Sequence, residues 1–423
     1  MTEQGLRFIV EYIRATENEI AIDCSVYTLS NVLPEQLNYV PRPAKILNKF
    51  AGNRKIFKLL VSVFKTTWRF GGASLYFLYE MIIFYRHSLR CSDQLGSSTD
   101  AGDYALAFSS RAGDILQSSI LGLAPKYWIT FPWAPVNRQK LSGQHVDIFS
   151  LLGAKDFIRA FKLAITASKK LAYRKQTKNW ILQSYTAFRW FAVRIALEKL
   201  SIQKLVIAEH YDRWAVLADR VAAEKNASLV MVQHGALSGL TLSEHETQAR
   251  LPFRLAHRLS SVKQLFVYDE SSRSIFATDI LSAGCIAKGV AVNYFQPIIE
   301  LTRFSSKNAV SILFVGHPIC EALHIYMFKE LSREYSVSFY YKPHPTAGVS
   351  DSVRKQGWHV IEGRSCFPEV DFLIAYPSTL VSEYSTSGIS AVLHSMNQDK
   401  DFSAGLLGSV KSKLDALACE KLV

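Results

Sequence analysis

The sequence predicts an α/β protein of two domains, each built on a parallel β-sheet. Short apolar runs typical of buried strands alternate with longer stretches typical of helices, and this alternation favours parallel sheets. At 423 residues the chain is long enough for two domains with separate cores. Its 49% hydrophobic and 20% charged residues are typical of a folded protein, which excludes a disordered tail.

The predicted elements fall into two series. The first has strands at residues 105–108, 127–131, 146–151, 205–208 and 229–233, and helices at about 156–176, 180–200 and 213–225. The second has strands at 264–268, 310–315, 337–341, 358–361 and 372–375, and helices at 269–277 and 320–334. The loop-rich stretch at about 235–262 is the expected crossing. We therefore predict an N-terminal domain at 1–245 and a C-terminal domain at 246–423.

A histidine held between two prolines follows one predicted strand of the second series. The motif Lys342-Pro343-His344-Pro345 stands directly after the apolar run 337–341. It places a rigid N–H donor at the carboxyl end of a parallel strand, where open α/β folds bind their ligands. His344 is therefore a candidate ligand-binding residue.

A pair of hydroxyl side chains follows the last predicted strand. Ser378 and Thr379 stand after the run 372–375 and open a helix. Their hydroxyls and the first free backbone N–H groups of that helix would be aimed at one point. Such a pair also suits an ordinary helix cap. Together with His344, the Ser378-Thr379 pair predicts a site for an anionic ligand.

These two motifs resemble the His-Pro and Ser-Ser/Ser-Thr motifs of bacterial glycosyltransferases that use CMP-activated sugars. The resemblance covers residues 310–394 and is to the sialyl-, polysialyl- and Kdo-transferase types. It implies the GT-B architecture, two Rossmann-like domains facing a cleft. It also implies that His344, Ser378 and Thr379 contact the donor phosphate. Glu362, directly after the run 359–361, would hold the ribose.

The other predicted donor-site residues adjoin these motifs. Lys342 and Pro345 flank His344, and Lys342 could also contact the phosphates of a diphosphate donor. A second His-Pro pair, His317-Pro318, follows the run 310–315. It favours a helix start with proline at the first helical position. Alternatively, Gly316 and His317 line the donor site from the first strand of the domain.

The N-terminal domain is expected to bind the acceptor and to supply the catalytic base. A carboxylate or a histidine can take the proton from an attacking hydroxyl. The candidates are Glu209 first, Asp212 second and His234 third, all at predicted strand ends. Asp212 could instead cap the helix that starts near residue 213. Gly235, after His234, would allow a ligand to approach the backbone closely.

Positive charge is concentrated in two N-terminal segments. Residues 42–90 hold ten Lys/Arg against one acid, and residues 155–200 hold eleven against two. Both segments are rich in bulky apolar residues, which fits a surface lying on anionic lipid. Solvated helix faces over buried aromatics are the structural alternative. Residues 71–85 are too short to span a membrane, and the chain has no nucleic-acid-binding motif.

Cysteine spacing gives no indication of a metal site. The six cysteines are scattered, without C-x-x-C pairs or zinc-site spacing. We expect reduced thiols, no metal and no cofactor besides the donor substrate. The opening residues lack a basic n-region, so no signal peptide is expected. The predicted location is the cytoplasm, peripheral at the inner face of the cell membrane.

The resemblance implies a metal-independent transfer of an acidic 2-keto sugar (sialic acid, Kdo or a related nonulosonic acid) from a CMP donor. The partners would be the nucleotide sugar, a glycan or glycolipid acceptor and an anionic membrane surface, with no nucleic acid. Three alternatives stay open. His234-Gly235 resembles the His-Gly element of CDP-glycerol polymerases, which suggests a phosphotransferase. The others are a non-catalytic glycan- or nucleotide-binding partner and an epimerase acting on a UDP-sugar.

Overall fold

The computed structural model describes residues 2–29, 54–91, 101–134, 143–174, 180–237, 250–296, 299–304, 310–344, 349–363 and 366–421. The chain forms two compact units. The first comprises Met1–Thr28, Val32–His234 and Phe253–Phe295, and the second comprises Leu29–Asn31, Gly235–Pro252 and Gln296–Val423. Each unit contains a parallel sheet with helices, which confirms the predicted α/β class.

The first unit is built on a seven-stranded sheet in which all neighbouring strands are parallel. Its strands are β1 Gly102–Leu106, β2 Tyr127–Thr130, β3 Gln144–Asp147, β4 Ile202–Ile207, β5 Ser228–Val232, β6 Val262–Val267 and β7 Ala291–Tyr294. The spatial order is β3-β2-β1-β4-β5-β6-β7. This is a Rossmann-like order, and it reverses direction between β1 and β4.

Nine α-helices are described in the first unit. They are α1 Glu3–Leu29, α2 Arg54–Thr67, α3 Ala73–Cys91, α4 Ser110–Leu116, α5 Ala154–Arg174, α6 Ala187–Glu198, α7 Arg213–Lys225, α8 Glu270–Ile275 and α9 Ala283–Ala287. Two π-helical turns accompany them, at Trp68–Gly72 and Phe276–Ile280. Short 3-10 turns lie at Ser119–Leu121, Ile148–Leu151 and Trp180–Thr186.

The second unit is built on a five-stranded parallel sheet. Its strands are β9 Ser311–Val315, β10 Ser338–Lys342, β11 His359–Val360, β13 Phe372–Ala375 and β14 Ser390–Leu393, in the order β11-β10-β9-β13-β14. A separate parallel pair joins β8 Leu301–Thr302 to β12 Phe367–Pro368. The α-helices are α10 Glu321–Glu334, α11 Asp351–Arg354, α12 Thr379–Ser385 and α13 Ala404–Lys421. The order again is Rossmann-like, with its reversal between β9 and β13.

The central strands of the second sheet are buried on both faces. Ile312 and Phe314 of β9 pack into one cluster with residues of α10 and α13. Leu313 and Val315 of the same strand pack into a second cluster on the opposite face. Successive strand residues point to opposite sides, so a strand covered on both sides reads as a continuous apolar run. This is why β9 and β13 were recognisable in the sequence.

The predicted domain boundary does not follow the structure. The strand predicted at 264–268 as the start of the C-terminal domain is β6, which pairs with β5 of the first sheet. The predicted helix at 269–277 likewise lies in the first unit, as α8 and a π-helical turn. Local apolar pattern identifies a strand but does not show which sheet it joins, so the division at 245/246 is displaced.

Two other predictions about the first unit were wrong in detail. The strand predicted at 146–151 is instead Gln144–Asp147. Ile148–Leu151 forms a 3-10 turn that is capped by the Asp147 side chain. The predicted helix at 180–200 begins as a 3-10 turn. Its aromatic residues are core: Trp190 and Phe191 are fully buried. These two side chains are therefore not available to contact lipid.

Candidate functional site

The two His-Pro histidines come together at the reversal point of the second sheet. His317 follows β9, and its ring centroid is 5.2 Å from that of His344, which follows β10. On the other side, the ring of Tyr376, which follows β13, is 6.1 Å from His317. Pro318 lies in a turn before α10, which starts at Glu321, so it is not the first helical residue. The helix start predicted at Pro318 is therefore wrong, and the contact of His317 with a donor stays a prediction.

Burial keeps both histidines neutral. The backbone N–H of Ile319 donates to Nδ1 of His317 over 3.2 Å, so the ring proton lies on Nε2. Burial, together with the nearby His344, lowers the pKa of His317 to about 4. Burial also lowers the pKa of His344. At neutral pH each ring can therefore offer one N–H donor without a positive charge of its own.

Ser378 is the residue whose arrangement most strongly indicates a ligand. It is the N-cap residue of α12, with φ −143° and ψ 162°, but its side chain makes no capping hydrogen bond. Its Oγ is buried and has no hydrogen-bond partner within the protein. Buried hydroxyls are almost always hydrogen-bonded in native proteins, so an unsatisfied one needs an explanation. The ordinary capping role does not account for Ser378.

Thr379 is used differently from its neighbour. Its Oγ1 accepts a hydrogen bond of 2.9 Å from the backbone N–H of Ala236. Gly235, with φ +115°, lies so close that a Cβ there would be 3.3 Å from the same oxygen. The predicted close approach at Gly235 is therefore an approach to Thr379. The Thr379 hydroxyl keeps its own hydrogen for donation to a ligand.

Lys342 and Glu362 both make contacts within the protein. The Lys342 ammonium donates to the carbonyl groups of Gly363 and Cys366, over 2.8 and 2.7 Å, and lies 4.6 Å from the centre of the Phe367 ring. It links Gly363, Cys366 and Phe367 to the end of β10. Glu362 is exposed and forms an ion pair of 2.6 Å with Arg354. Their contacts with a nucleotide stay predictions, and Pro345 lies outside the described residues.

Gly316 has a packing role beneath the site. A Cβ at this position would lie 2.2 Å from the hydroxyl oxygen of Tyr341. The backbone N–H of Gly316 also donates to the carbonyl of Lys342 over 2.8 Å, continuing the β9–β10 pairing. Only glycine lets the tyrosine ring cross the end of β9, which positions His317 and His344.

Replacing Gly316 by alanine should destabilise the protein by about 1–3 kcal/mol, since overpacking forces Tyr341 to move. Urea-induced unfolding measures the free energy of unfolding. Gly408→Ala is the matched control, because nothing lies within 4 Å of a Cβ at that helical position. It should stabilise α13 by about 0.5–1 kcal/mol. Equal effects of the two substitutions would contradict the packing role.

A buried group behind His317 has the composition of a metal site. Cys320, His324 and His394 offer ligand atoms that lie within 4.8 Å of one another. His324 and His394 are hydrogen-bonded through their Nε2 atoms at 2.8 Å, and Cys320 Sγ contacts the carbonyl of His317 at 3.3 Å. Sequence spacing did not reveal this group, because His394 follows the edge strand β14 and is far from Cys320 and His324 along the chain. As arranged, it is a closed hydrogen-bonded cluster.

A second group that could hold a metal lies in the first unit. It consists of His87 and Cys91, one turn apart on α3, and Asp147, the last residue of β3. His87 Nε2 lies 2.7 Å from Asp147 Oδ2, and Cys91 Sγ lies 3.6 Å from the same nitrogen. Asp147 also accepts the backbone N–H of Phe149, so a structural role explains its burial.

The stability of the protein should fall as the pH drops from about 6.5 towards 4. Burial lowers the pKa of five histidines, which bind protons in the unfolded chain before they do so in the folded one: His210, His317, His324, His344 and His394. Each histidine lowers the free energy of unfolding by up to about 1.4 kcal/mol per pH unit. This decrease stops once the pH is below the pKa of that histidine in the folded protein. Urea unfolding across this range measures it.

His394→Gln should make that pH dependence shallower, while His359→Gln, at an exposed position, should leave it unchanged. A free energy of unfolding that does not depend on pH between about 6.5 and 4 would show that these histidines are not held neutral.

The first unit carries a polar cluster at the ends of β4 and β5. Glu209 is 5% exposed, and its Oε2 has no hydrogen-bond partner within the protein. Burial, with the charge of Asp212 adding to it, raises its pKa well above the ordinary value. A buried carboxyl at a strand end that has a shifted pKa and one oxygen without a protein partner is a candidate catalytic group.

Two histidines adjoin Glu209. The backbone N–H of His234 donates to Nε2 of His210 over 2.9 Å, and the two rings lie 4.7 Å apart. Burial, and then His234, lower the pKa of His210 well below its ordinary value. His234 directs Nδ1 at the carbonyl of Ala208, so Nδ1 carries a proton.

Asp212 is a helix cap. Its Oδ1 accepts the backbone N–H groups of Trp214 and Ala215, both over 2.9 Å, at the start of α7. Burial, and then Glu19, raise its pKa to about 6. The structural alternative for Asp212 is thus the one that the geometry shows.

Comparison with known proteins gives little further information. No protein-family model matches the sequence, and no curated protein is significantly similar to it. Among solved structures, the crystal structure of MurG from Acinetobacter baumannii aligns with 74% of this chain and 83% of that chain, at 11% identity and a TM-score of 0.34. Because a TM-score this low does not establish a common fold, the site is interpreted from its own residues.

Proposed function

We propose that the chain is a GT-B-type glycosyltransferase that moves an acidic 2-keto sugar from a CMP donor to a surface polysaccharide or lipid-linked glycan. The observation that carries the proposal is the buried, unpartnered hydroxyl of Ser378 at the same sheet edge as His317 and His344. Open α/β folds bind ligands at this reversal point. A phosphate there would satisfy the Ser378 hydroxyl.

The residues of the second unit suit a leaving group that gains negative charge. When the bond between the anomeric carbon and the CMP phosphate oxygen breaks, charge develops on that oxygen. N–H donors from His344 and His317 and hydroxyl donors from Ser378 and Thr379 would stabilise it electrostatically. The proposal assigns the phosphate contact to these four residues, the ribose contact to Glu362, and no step to a metal.

Glu209 is the proposed general base. As the acceptor oxygen bonds to the anomeric carbon, its proton passes to a carboxylate oxygen of Glu209. The Oε2 atom has no protein partner to displace, whereas Asp212 is occupied by two backbone N–H groups. A raised pKa brings a carboxylate closer to the operating pH, which strengthens it as a base once ionised.

The proposed partners include a membrane. A lipid-linked acceptor would require the enzyme to work peripherally at the cytoplasmic face of the cell membrane. The basic segment 42–90 supports this, since anionic lipid attracts clustered Lys and Arg. Among the described helices none is both long and apolar enough to cross a bilayer.

Calorimetric titration tests the donor site. The wild-type protein would be titrated with CMP, CDP, UMP and UDP in the presence of EDTA, alongside His344→Ala and Ser378→Ala. We expect CMP to bind most tightly, and each substitution to weaken it by about 10- to 100-fold, the value of one hydrogen bond to a charged group. His359→Ala and Ser385→Ala, at exposed positions, are matched controls.

Each outcome of this titration is informative. A preference for UDP, or CMP affinity unchanged in both site variants, would overturn the donor assignment. Tight CDP binding would favour transfer from a CDP-alcohol. If CMP binds but no CMP-linked 2-keto sugar is turned over, the chain is a binding partner and not a transferase.

A further inference from the structure

The segment formed by α2, the π-helical turn and α3 carries an unusual concentration of exposed apolar side chains. Twenty large apolar side chains are exposed in the described part of the chain, and eleven of them belong to residues 54–91. They are Ile56, Leu59, Val63, Phe64, Phe70, Leu75, Leu78, Tyr79, Ile82, Ile83 and Leu89. Patches of this kind mark a protein or membrane interaction site.

The exposed side chains of α3 form a second apolar face. One face, with Phe77, Glu80, Phe84 and Ser88, is buried against the first unit. Phe84, for example, has its ring centroid 4.8 Å from that of Phe149. On the opposite face apolar side chains recur at the same helical spacing and are exposed. They are Leu75, Leu78, Ile82 and Leu89. A helix that is apolar on both sides belongs in a core or against lipid.

The turn between the helices presents the most exposed of these side chains. Phe70 is 81% exposed. It precedes Gly71, whose φ of +140° requires glycine. The start of the turn is held against the rest of the unit, because Trp68 is buried and donates its indole N–H to Ser184 Oγ over 2.9 Å. The chain therefore holds Phe70 outward on an anchored turn.

The charge of the segment identifies the partner. Residues 54–91 contain seven Lys/Arg and one acid, Glu80. Glu80 is 2% exposed and is bonded to Tyr76 and Arg189, so the segment shows no exposed acidic side chain. Apolar side chains flanked by basic ones complement an anionic lipid surface. A second copy of the chain would bring two basic segments together, which like-charge repulsion opposes.

We infer that residues 54–91 are the membrane-binding element, and that the side chains of Phe70, Leu78 and Ile82 enter the apolar layer beneath anionic lipid headgroups. The inference rests on the peripheral association in the proposed function and is independent of the donor. Of the two basic segments, it selects the first, because Trp180, Phe188, Trp190 and Phe191 of the second are buried.

Vesicle flotation tests this with the full-length protein. The vesicles contain equal parts of phosphatidylglycerol and phosphatidylcholine, and pure phosphatidylcholine serves as the neutral comparison. The triple variant Phe70→Ser/Leu78→Ser/Ile82→Ser should lower the vesicle-bound fraction at least about tenfold. The matched control Leu6→Ser/Ile120→Ser/Ile286→Ser removes three exposed apolar side chains elsewhere and should float like the wild type.

Hydrogen exchange locates the contact. With anionic vesicles, backbone amides of residues 68–83 should exchange more slowly, and those of α13 should not change. Wild-type flotation without this protection, or a triple variant that floats normally, would overturn the inference. So would a wild-type dimer in sedimentation velocity that the triple variant converts to a monomer, since that would make the face a protein interface.

Folding and donor binding are controlled separately. Thermal unfolding by circular dichroism checks that the triple variant is folded, and titration with CMP checks its donor site. Loss of flotation with CMP binding retained supports the membrane element alone. CMP binding absent from the wild type while flotation persists would overturn the proposed donor and leave the membrane element standing.

Discussion

Glu209→Gln is expected to lower the turnover number by about 10²- to 10⁴-fold, the usual contribution of a general base. The substitution keeps the shape of the side chain but removes the atom that would receive the proton. CMP affinity should be unchanged, because the phosphate contacts are assigned to the second unit. Single-turnover kinetics with a CMP-linked 2-keto sugar, together with titration by CMP, measure the two quantities.

The pH profile and the stability of this variant separate a catalytic role from a packing role. Burial raises the pKa of Glu209, so the wild-type rate should rise with pH as this carboxyl ionises, and the Gln variant should lack that rise. A raised pKa also means that ionisation destabilises the folded state, with the loss growing as pH rises above the ordinary value. At neutral pH the Gln variant should therefore be at least as stable as the wild type.

Asp212→Asn is the companion variant. Asparagine caps a helix about as well as aspartate, so both stability and turnover should change little if Asp212 only caps α7. A Glu209→Gln variant that turns over at the wild-type rate would remove Glu209 from consideration. His234, whose Nδ1 is directed at the carbonyl of Ala208, would then be the next candidate.

Arg194→Met is expected to cost about 3–5 kcal/mol of stability, since it leaves a buried charge without its partner. The Arg194 side chain is fully buried, and its Nε donates to Glu11 over 3.0 Å. Its guanidinium also bonds to Glu224 and lies 4.2 Å from the centre of the Phe8 ring. Urea unfolding at neutral pH measures the loss.

The double variant Arg194→Met/Glu11→Leu distinguishes a lost attraction from an orphaned charge. Replacing a buried ion pair by apolar residues is often nearly neutral, so the double variant should recover much of the stability lost in Arg194→Met. Arg333→Met, which breaks an exposed pair with Glu330, should cost about 0–1 kcal/mol. A double variant as unstable as Arg194→Met would show that the stability is lost through the packing of the Arg194 side chain and not through the unpaired charge of Glu11.

The sequence was sufficient to locate the donor-site candidates because strand ends are local features. A buried parallel strand reads as an apolar run, and His344 and Ser378 were identified as the polar residues that follow such runs. The orphaned hydroxyl of Ser378 was not predictable. It depends on the backbone angles at the start of α12, which leave the side chain without a capping bond.

Long-range pairing explains what the sequence did not show. α1 has buried Glu11, Asn18 and Glu19, and such polar residues contradict the pattern of a core helix. Glu11 pairs with Arg194 and Glu19 with Arg213, and both arginines lie far along the chain. The charge count likewise located the basic segments but did not show that Trp180, Phe188, Trp190 and Phe191 are buried.

The interleaving of the two units constrains how the protein can be made. The chain leaves the first unit after His234 and returns at Phe253, and only then supplies β6 and β7. During synthesis β5 therefore remains an open sheet edge until residues beyond 267 have emerged. A fragment ending at 245 would keep that edge unpaired, with strand residues such as Met231 that are fully buried in the intact chain. Such a fragment is prone to aggregate, so the first unit has to be produced and studied within the intact chain.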